Sequence, residues 1–217
     1  MPILEKLQPQ AVFAHFEQLC AIPHGSGNTK AISDYLVRYA AARGLRHIQD
    51  AHNNVIIFCP GTPGYEAAAP VILQGHMDMV CETAPDCAKD MTSEGLDLFV
   101  DGDTIGARGT TLGGDDGIAV AMALAALEDT TLQHPRLEVV LTTDEEIGML
   151  GAAVLGDIGK HFPDTDPAYA GADSLKLAQH VARIMREHGW KIVNIDSTLL
   201  CQKPKLAPYI PAMRENL

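Results

Sequence analysis

The chain has 217 residues, enough for one large domain or one domain with a fragment beside it, and its 47% apolar content is sufficient to bury a core. Sixteen basic against 28 acidic side chains leave a formal charge of −12, which argues against nucleic acid and anionic membranes as partners. No run approaches the ~18 uninterrupted apolar residues of a membrane span. The opening Met-Pro-Ile-Leu-Glu-Lys has no apolar signal core, and Cys20, Cys59, Cys81, Cys87 and Cys201 form no close pair, so a cytoplasmic protein with reduced thiols is expected.

Residues 10–20 show helical periodicity, and Pro23-His-Gly-Ser-Gly-Asn28 is a turn-rich loop. Thr29 is placed to cap a second helix that runs to about Arg43, with Gly44 as its stop. Asn54 to Cys59 is a β-rich run ended by Pro60-Gly61, and residues 63–69 form a surface loop. Val71-Ile-Leu-Gln74 reads as a buried strand that delivers His76 at its C-terminal end. Residues 82–97 are mixed, an excursion over the site. Phe99 to Ala107 resembles a hairpin around Asp101-Gly102. Ile118 to Leu127 is Ala-rich and helical, and Leu137-Glu-Val-Val-Leu-Thr-Thr143 is a second buried strand that delivers Glu145 and Glu146. Alternating helices and apolar strands predict an α/β fold, a layered mixed sheet flanked by helices, with ligands gathering beyond the C-terminal strand ends. After Gly151 the character changes: a polar loop over 156–166, an amphipathic helix over 174–188, a strand over 190–201 and the start of a helix at 209.

Three short motifs fall at such strand ends: Gln74-Gly-His-Met-Asp78, Gly113-Gly-Asp-Asp-Gly117 and Asp144-Glu-Glu-Ile-Gly148. Singly, each is an ordinary surface pair or turn; together and in order they point to a metal-assisted hydrolase with two metals. His76 offers a nitrogen ligand suited to zinc. Asp78, two residues on, is placed to orient that imidazole from behind. Asp115, held among glycines, is the candidate bridging carboxylate. Of Glu145 and Glu146, one can ligate while the other serves as general base, because successive side chains diverge. The ligand types suit Zn2+, with Mn2+ or Co2+ as alternatives.

Residues 1 to about 153 resemble the zinc metallopeptidases that include aminoacyl-histidine dipeptidase (peptidase D, carnosinase-like). The resemblance is carried by Ile22-Pro-His, Asn53-Asn-Val-Ile-Ile, Val71-Ile-Leu-Gln-Gly-His-Met-Asp-Met-Val, Ala107-Arg-Gly-Thr-Thr-Leu-Gly-Gly-Asp-Asp-Gly-Ile and Leu141-Thr-Thr-Asp-Glu-Glu-Ile-Gly-Met. It implies His76, Asp115 and Glu146 as ligands of a metal pair with Asp115 bridging, Asp78 as orienting acid, Glu145 as general base, and a small peptide of Xaa-His type as substrate. Family members also carry a further carboxylate ligand on the next strand, a lid domain and a final His ligand, none of which is recognisable here.

From about residue 150 the chain resembles the middle of 2-C-methyl-D-erythritol 2,4-cyclodiphosphate synthase, an isoprenoid-pathway enzyme. Leu150-Gly-Ala-Ala-Val-Leu-Gly-Asp-Ile-Gly-Lys-His-Phe-Pro-Asp-Thr-Asp-Pro, Gly171-Ala-Asp-Ser, Val193-Asn-Ile-Asp-Ser-Thr and Gln202-Lys-Pro-Lys-Leu-Ala-Pro-Tyr carry the match. By that resemblance Asp157, Gly159 and Asp164 lie on substrate-contacting loops and Lys205 lies near the cytidine-nucleotide pocket. That family's Asp-x-His zinc ligands and Thr-rich catalytic segment are not found. The expectation is therefore a chimera: residues 1–153 a metallopeptidase-like catalytic domain without its lid, residues 154–217 an appended loop-helix-strand segment. Asp196, on the predicted strand, is a speculative substitute for the missing metal carboxylate. Sheet edges left uncovered would favour self-association.

Overall fold

The structure is a computed structural model, and it describes residues 2–155. Two helices come first: α1, Gln10–Cys20, and α2, Lys30–Ala42. Strands β1 (Arg46–Gln49), β2 (Val55–Cys59) and β3 (Val71–His76) follow. A hairpin of β4 (Leu98–Asp101) and β5 (Thr104–Ala107) precedes α3 (Gly114–Glu128), β6 (Leu137–Thr142) and the short α4 (Leu150–Val154). The helix, strand and hairpin assignments within residues 10–143 are matched by these elements. The helix expected over 174–188 and the strand over 190–201 lie outside the described residues, as do Asp157, Gly159, Asp164, Asp196 and Lys205.

The main sheet has the order β1-β2-β6-β3, antiparallel except between β3 and β6. The parallel pair sets the geometry of everything that follows. His76 stands opposite Thr142 and Gly75 opposite Leu141, so both strands leave the sheet at the same edge, and the motifs that follow them emerge side by side. Helix α2 packs on β1 and β2, α3 packs on β3 and β6, and α1 lies against α3. Leu4, Phe16, Leu19, Ile32, Leu36, Val55, Ile57, Val120, Leu124, Val139 and Leu141 meet in one continuous core. The mixed α/β sheet flanked by helices is as expected from the alternation of elements.

Three details depart from the sequence reading. Strand β1 was not foreseen; Arg46-His-Ile-Gln49 is half exposed and carries one strongly apolar residue, so it gives no alternation to read. Thr29 sits at the start of α2 but its side chain makes no capping bond. Strand β3 is not buried along its length: Val71 and Ile72 are 41% and 49% exposed, and only Gly75 and His76 are buried. The apolar run signals a parallel strand, which is usually covered on both faces; among the described residues β3 lies at an edge. Among the described residues no helix is long and apolar enough to cross a membrane.

Candidate functional site

His76 closes β3 and is buried. Its Nδ1 donates to the backbone carbonyl of Asp78 at 2.9 Å, which fixes the ring and turns Nε2 outward. Nε2 faces Asp115 Oδ1 at 3.1 Å and lies 4.0 Å from Glu145 Oε2. Donor atoms of His76, Asp115 and Glu146 all lie within 4.8 Å of one another, an arrangement that could hold a metal ion. One imidazole nitrogen and two carboxylates are the ligand types of a catalytic zinc site with a coordination position left open.

The electrostatics point the same way. Burial works against charge on His76, but the Asp78 and Asp115 carboxylates outweigh it and raise the imidazole to about 9. With Nδ1 committed to a carbonyl, the proton on Nε2 occupies the place between nitrogen and carboxylate where a cation fits. Glu146 is pushed above the usual carboxylate range, first by burial and then by Glu145, Asp115 and Asp78. These crowded acids repel one another until a cation joins them.

Asp78 does more than stand behind the imidazole. Its carboxylate is fully buried and lies 3.6 Å from His76 Nδ1, too far for a hydrogen bond. Instead it accepts the Ser26 hydroxyl at 2.7 Å, the Glu145 amide at 3.1 Å and the Glu146 amide at 3.4 Å. Burial alone would raise its pKa; the facing His76 imidazole, ahead of the Ser26 hydroxyl and the two amides, wins and holds it at about 2. Asp78 thus fastens the Glu145-Glu146 turn to the end of β3. Asp144, in a left-handed conformation at φ 56°, adds a second tie by accepting the Gly27 amide at 2.7 Å.

Asp115 enters from α3. Gly113 takes φ 68°, and a Cβ there would lie 2.8 Å from Met79 Sδ, so glycine is required at this turn. Asp115 and Asp116 are not in helical conformation although they fall inside α3, which lets Asp115 project to the cluster. Asp116 turns the other way and accepts the His76 amide at 3.3 Å. A Cβ on Gly75 would come within 3.0 Å of that carboxylate, so the glycine before His76 makes room for it. Burial raises the Asp116 pKa.

The structure therefore brings His76, Asp78, Asp115, Glu145 and Glu146 together. Sequence reasoning missed Ser26, Gly27, Asp116 and Asp144. Asp116 and Asp144 belong to the motifs but were given no role of their own; Ser26 and Gly27, in the Pro23–Asn28 loop, carried no signal beyond turn composition.

Residues 129–217 match the YgbB family. A 152-residue stretch, 70% of this chain, is 41% identical to the cytosol non-specific dipeptidase of Escherichia coli K12 and covers 31% of that protein. The crystal structure of aminoacylhistidine dipeptidase from Vibrio alginolyticus superposes with a TM-score of 0.67 at 40% identity, over 69% of this chain and 30% of that one. Toward the C-terminus, 90 residues, 42% of the chain, are 52% identical to 2-C-methyl-D-erythritol 2,4-cyclodiphosphate synthase of Clostridium perfringens and cover 57% of it. Parts of two families meet in this chain. Its N-terminal part is similar to the dipeptidases and its C-terminal part to the synthases, as a chimera requires. The chain spans about a third of the length of the dipeptidase and just over half that of the synthase. A 152-residue match cannot end before residue 152, so it overlaps the YgbB match that begins at 129, and the two similarities share β6 and the Glu pair.

Proposed function

We propose that the chain is a metal-dependent, dipeptidase-like hydrolase acting on small peptides of the Xaa-His type. The observation that carries this reading is the convergence of His76, Asp115 and Glu146 on one point, with Glu145 beside it, in a stretch 41% identical to a dipeptidase. Zn2+ is the proposed cation, on the strength of the imidazole and carboxylate donors. Held there, it would supply Lewis acidity to a water and to the scissile carbonyl. Asp115 is 86% exposed at its side chain, which leaves its second oxygen able to bridge to a further cation.

The residues divide the remaining work. Glu145 has its carboxylate at the edge of the cluster and its backbone pinned by Asp78, so it is placed to take a proton from the attacking water and return it to the leaving amine. Asp78 keeps Glu145 and Glu146 in register with His76, and Asp116 holds the His76 backbone. Hydrolysis of Xaa-His dipeptides by the zinc-loaded chain, lost in His76→Ala and in Glu145→Gln, is the test. No hydrolysis by a chain shown to hold zinc would sink the reading.

A second reading is favoured by the YgbB match over 129–217. In it the C-terminal part binds a cytidine nucleotide through Asp157, Gly159, Asp164 and Lys205. Release of cytidine monophosphate from the cytidyl diphosphate substrate, absent in Lys205→Ala, would establish it in place of the first.

A further inference from the structure

The buried Asp78 carboxylate lies within reach of two sets of donors. Oδ1 accepts the Glu145 amide at 3.1 Å and stands 3.6 Å from His76 Nδ1. Oδ2 accepts the Glu146 amide at 3.4 Å and the Ser26 hydroxyl at 2.7 Å. The two amide bonds are long, and an ionised carboxylate gains more from a charge-assisted bond to an imidazole than from a stretched bond to an amide. Nδ1 nevertheless donates to the Asp78 backbone carbonyl at 2.9 Å, and the carboxylate faces the Glu145-Glu146 turn. The short Ser26 bond opposes the alternative. It holds Oδ2 from the side of the Pro23–Asn28 loop and resists rotation of the carboxylate about Cβ–Cγ.

The chain presents the Ser26 hydroxyl on a rigid frame. The Ser26 amide donates to the Met79 carbonyl at 3.2 Å, and the Met79 amide donates to the His24 carbonyl at 3.1 Å, so the loop and the residues after β3 run side by side on backbone bonds. A Cβ on Gly25 would come within 2.5 Å of Cys81 Sγ, so glycine permits this close approach. None of these bonds passes through the Ser26 side chain. Removal of the hydroxyl therefore leaves the loop in place and releases only the carboxylate.

We propose that Ser26 is a positioning residue whose hydroxyl commits the Asp78 carboxylate to the Glu145-Glu146 turn and away from the His76 ring. Without it the carboxylate turns to the imidazole, and Nδ1–H exchanges a carbonyl acceptor for a carboxylate. Glu145, the proposed general base, then loses the bond that fixes its backbone. The catalytic consequence rests on the hydrolytic reading; the choice of hydrogen-bond acceptor does not.

Ser26→Ala and the conservative Ser26→Thr, each in the full chain, provide the test. The proton resonance of His76 Nδ1–H is recorded by NMR on the chain as purified and identified by its loss in His76→Gln. A downfield shift is expected in Ser26→Ala, because a bond between charged partners is shorter and stronger than one to a carbonyl. Ser26→Thr should keep the native position. With zinc content unchanged, kcat for a Xaa-His dipeptide should fall about tenfold or more in Ser26→Ala, with KM within about twofold, as misplacement of a catalytic group implies. Ser26→Thr should restore it. A resonance unmoved in Ser26→Ala, or displaced equally in Ser26→Thr, would overturn the proposal. So would an undiminished kcat in Ser26→Ala, or a loss of zinc that accounts for the lost rate. A native chain that holds zinc and hydrolyses no dipeptide would sink the hydrolytic reading alone, and the Nδ1–H resonance would still decide the role of Ser26.

Discussion

Each carboxylate around His76 owes its behaviour to what its oxygens meet. Glu145 and Glu146 are neighbours in the chain, yet Glu146 is in the three-residue cluster and Glu145 stands 4.0 Å from the imidazole. Glu145→Gln preserves shape and the Asp78 bond to the backbone while removing the proton acceptor. Loss of hydrolysis by about 10²–10⁴-fold is expected, with zinc content unchanged, since general-base catalysis contributes on that scale. Parallel loss of zinc would make Glu145 a ligand. His15 gives a pH prediction remote from these acids. Burial, ahead of the opposing pull of Glu128, lowers its pKa from 6.5. The unfolded chain then takes up the proton first as pH falls, so the contribution of His15 to stability is complete above about 6.5 and is lost as pH drops through the folded value. The urea midpoint should fall between pH 7 and pH 5 by more in the native chain than in His15→Gln; identical profiles would refute the burial argument. Cys20 follows the same physics, its buried thiol pushed up to about 12, which suits a structural cysteine.

At the scale of elements, the site depends on how the ends of β2, β3 and β6 are tied. Asn54 is fully buried just before β2. Its side chain accepts the Thr143 amide at 3.1 Å, and donates to the Gly151 carbonyl at 3.0 Å and to Asp50 Oδ2 at 2.8 Å. Asn54→Ala would orphan a buried amide and a buried carbonyl across the end of β6 and α4. A loss of about 2–4 kcal/mol in urea unfolding is expected on that account; a change below about 0.5 kcal/mol would show that water replaces the amide. Strands β3 and β6 were legible because each opens on an apolar run, β3 ending at His76 with Asp78 beyond it and β6 running up to Asp144-Glu145-Glu146. Strand β1 was not, because a short, half-exposed edge strand shows neither alternation nor a continuous apolar run. The tie between Asp78 and the Glu pair was illegible for another reason. Its acceptors are carboxylate oxygens and its donors are backbone amides 67 and 68 positions away, and amides leave no mark in a sequence. The same holds for Asp116 and the His76 amide. Side-chain chemistry was readable in the motifs, whereas the frame that aims it was not.

For the whole molecule, the question is how many cations the chain holds. The described residues bring together one nitrogen and two carboxylates, the donor number of a single zinc with an open position. A dinuclear centre needs further donors to share Asp115, and Asp196, the one suggested from the sequence, lies outside the described residues. Elemental analysis after dialysis against limiting zinc separates the cases. About one zinc per chain is expected, as three protein ligands plus water would hold. It should vanish in His76→Ala, because the remaining carboxylates lose their nitrogen partner, and persist in Asp196→Ala. About two per chain, falling in both variants, would bring Asp196 into the centre and make it dinuclear, with Asp115 as the bridge. One zinc insensitive to Asp196 would instead leave His76, Asp115 and Glu146 as the whole ligand set, with water in the open position.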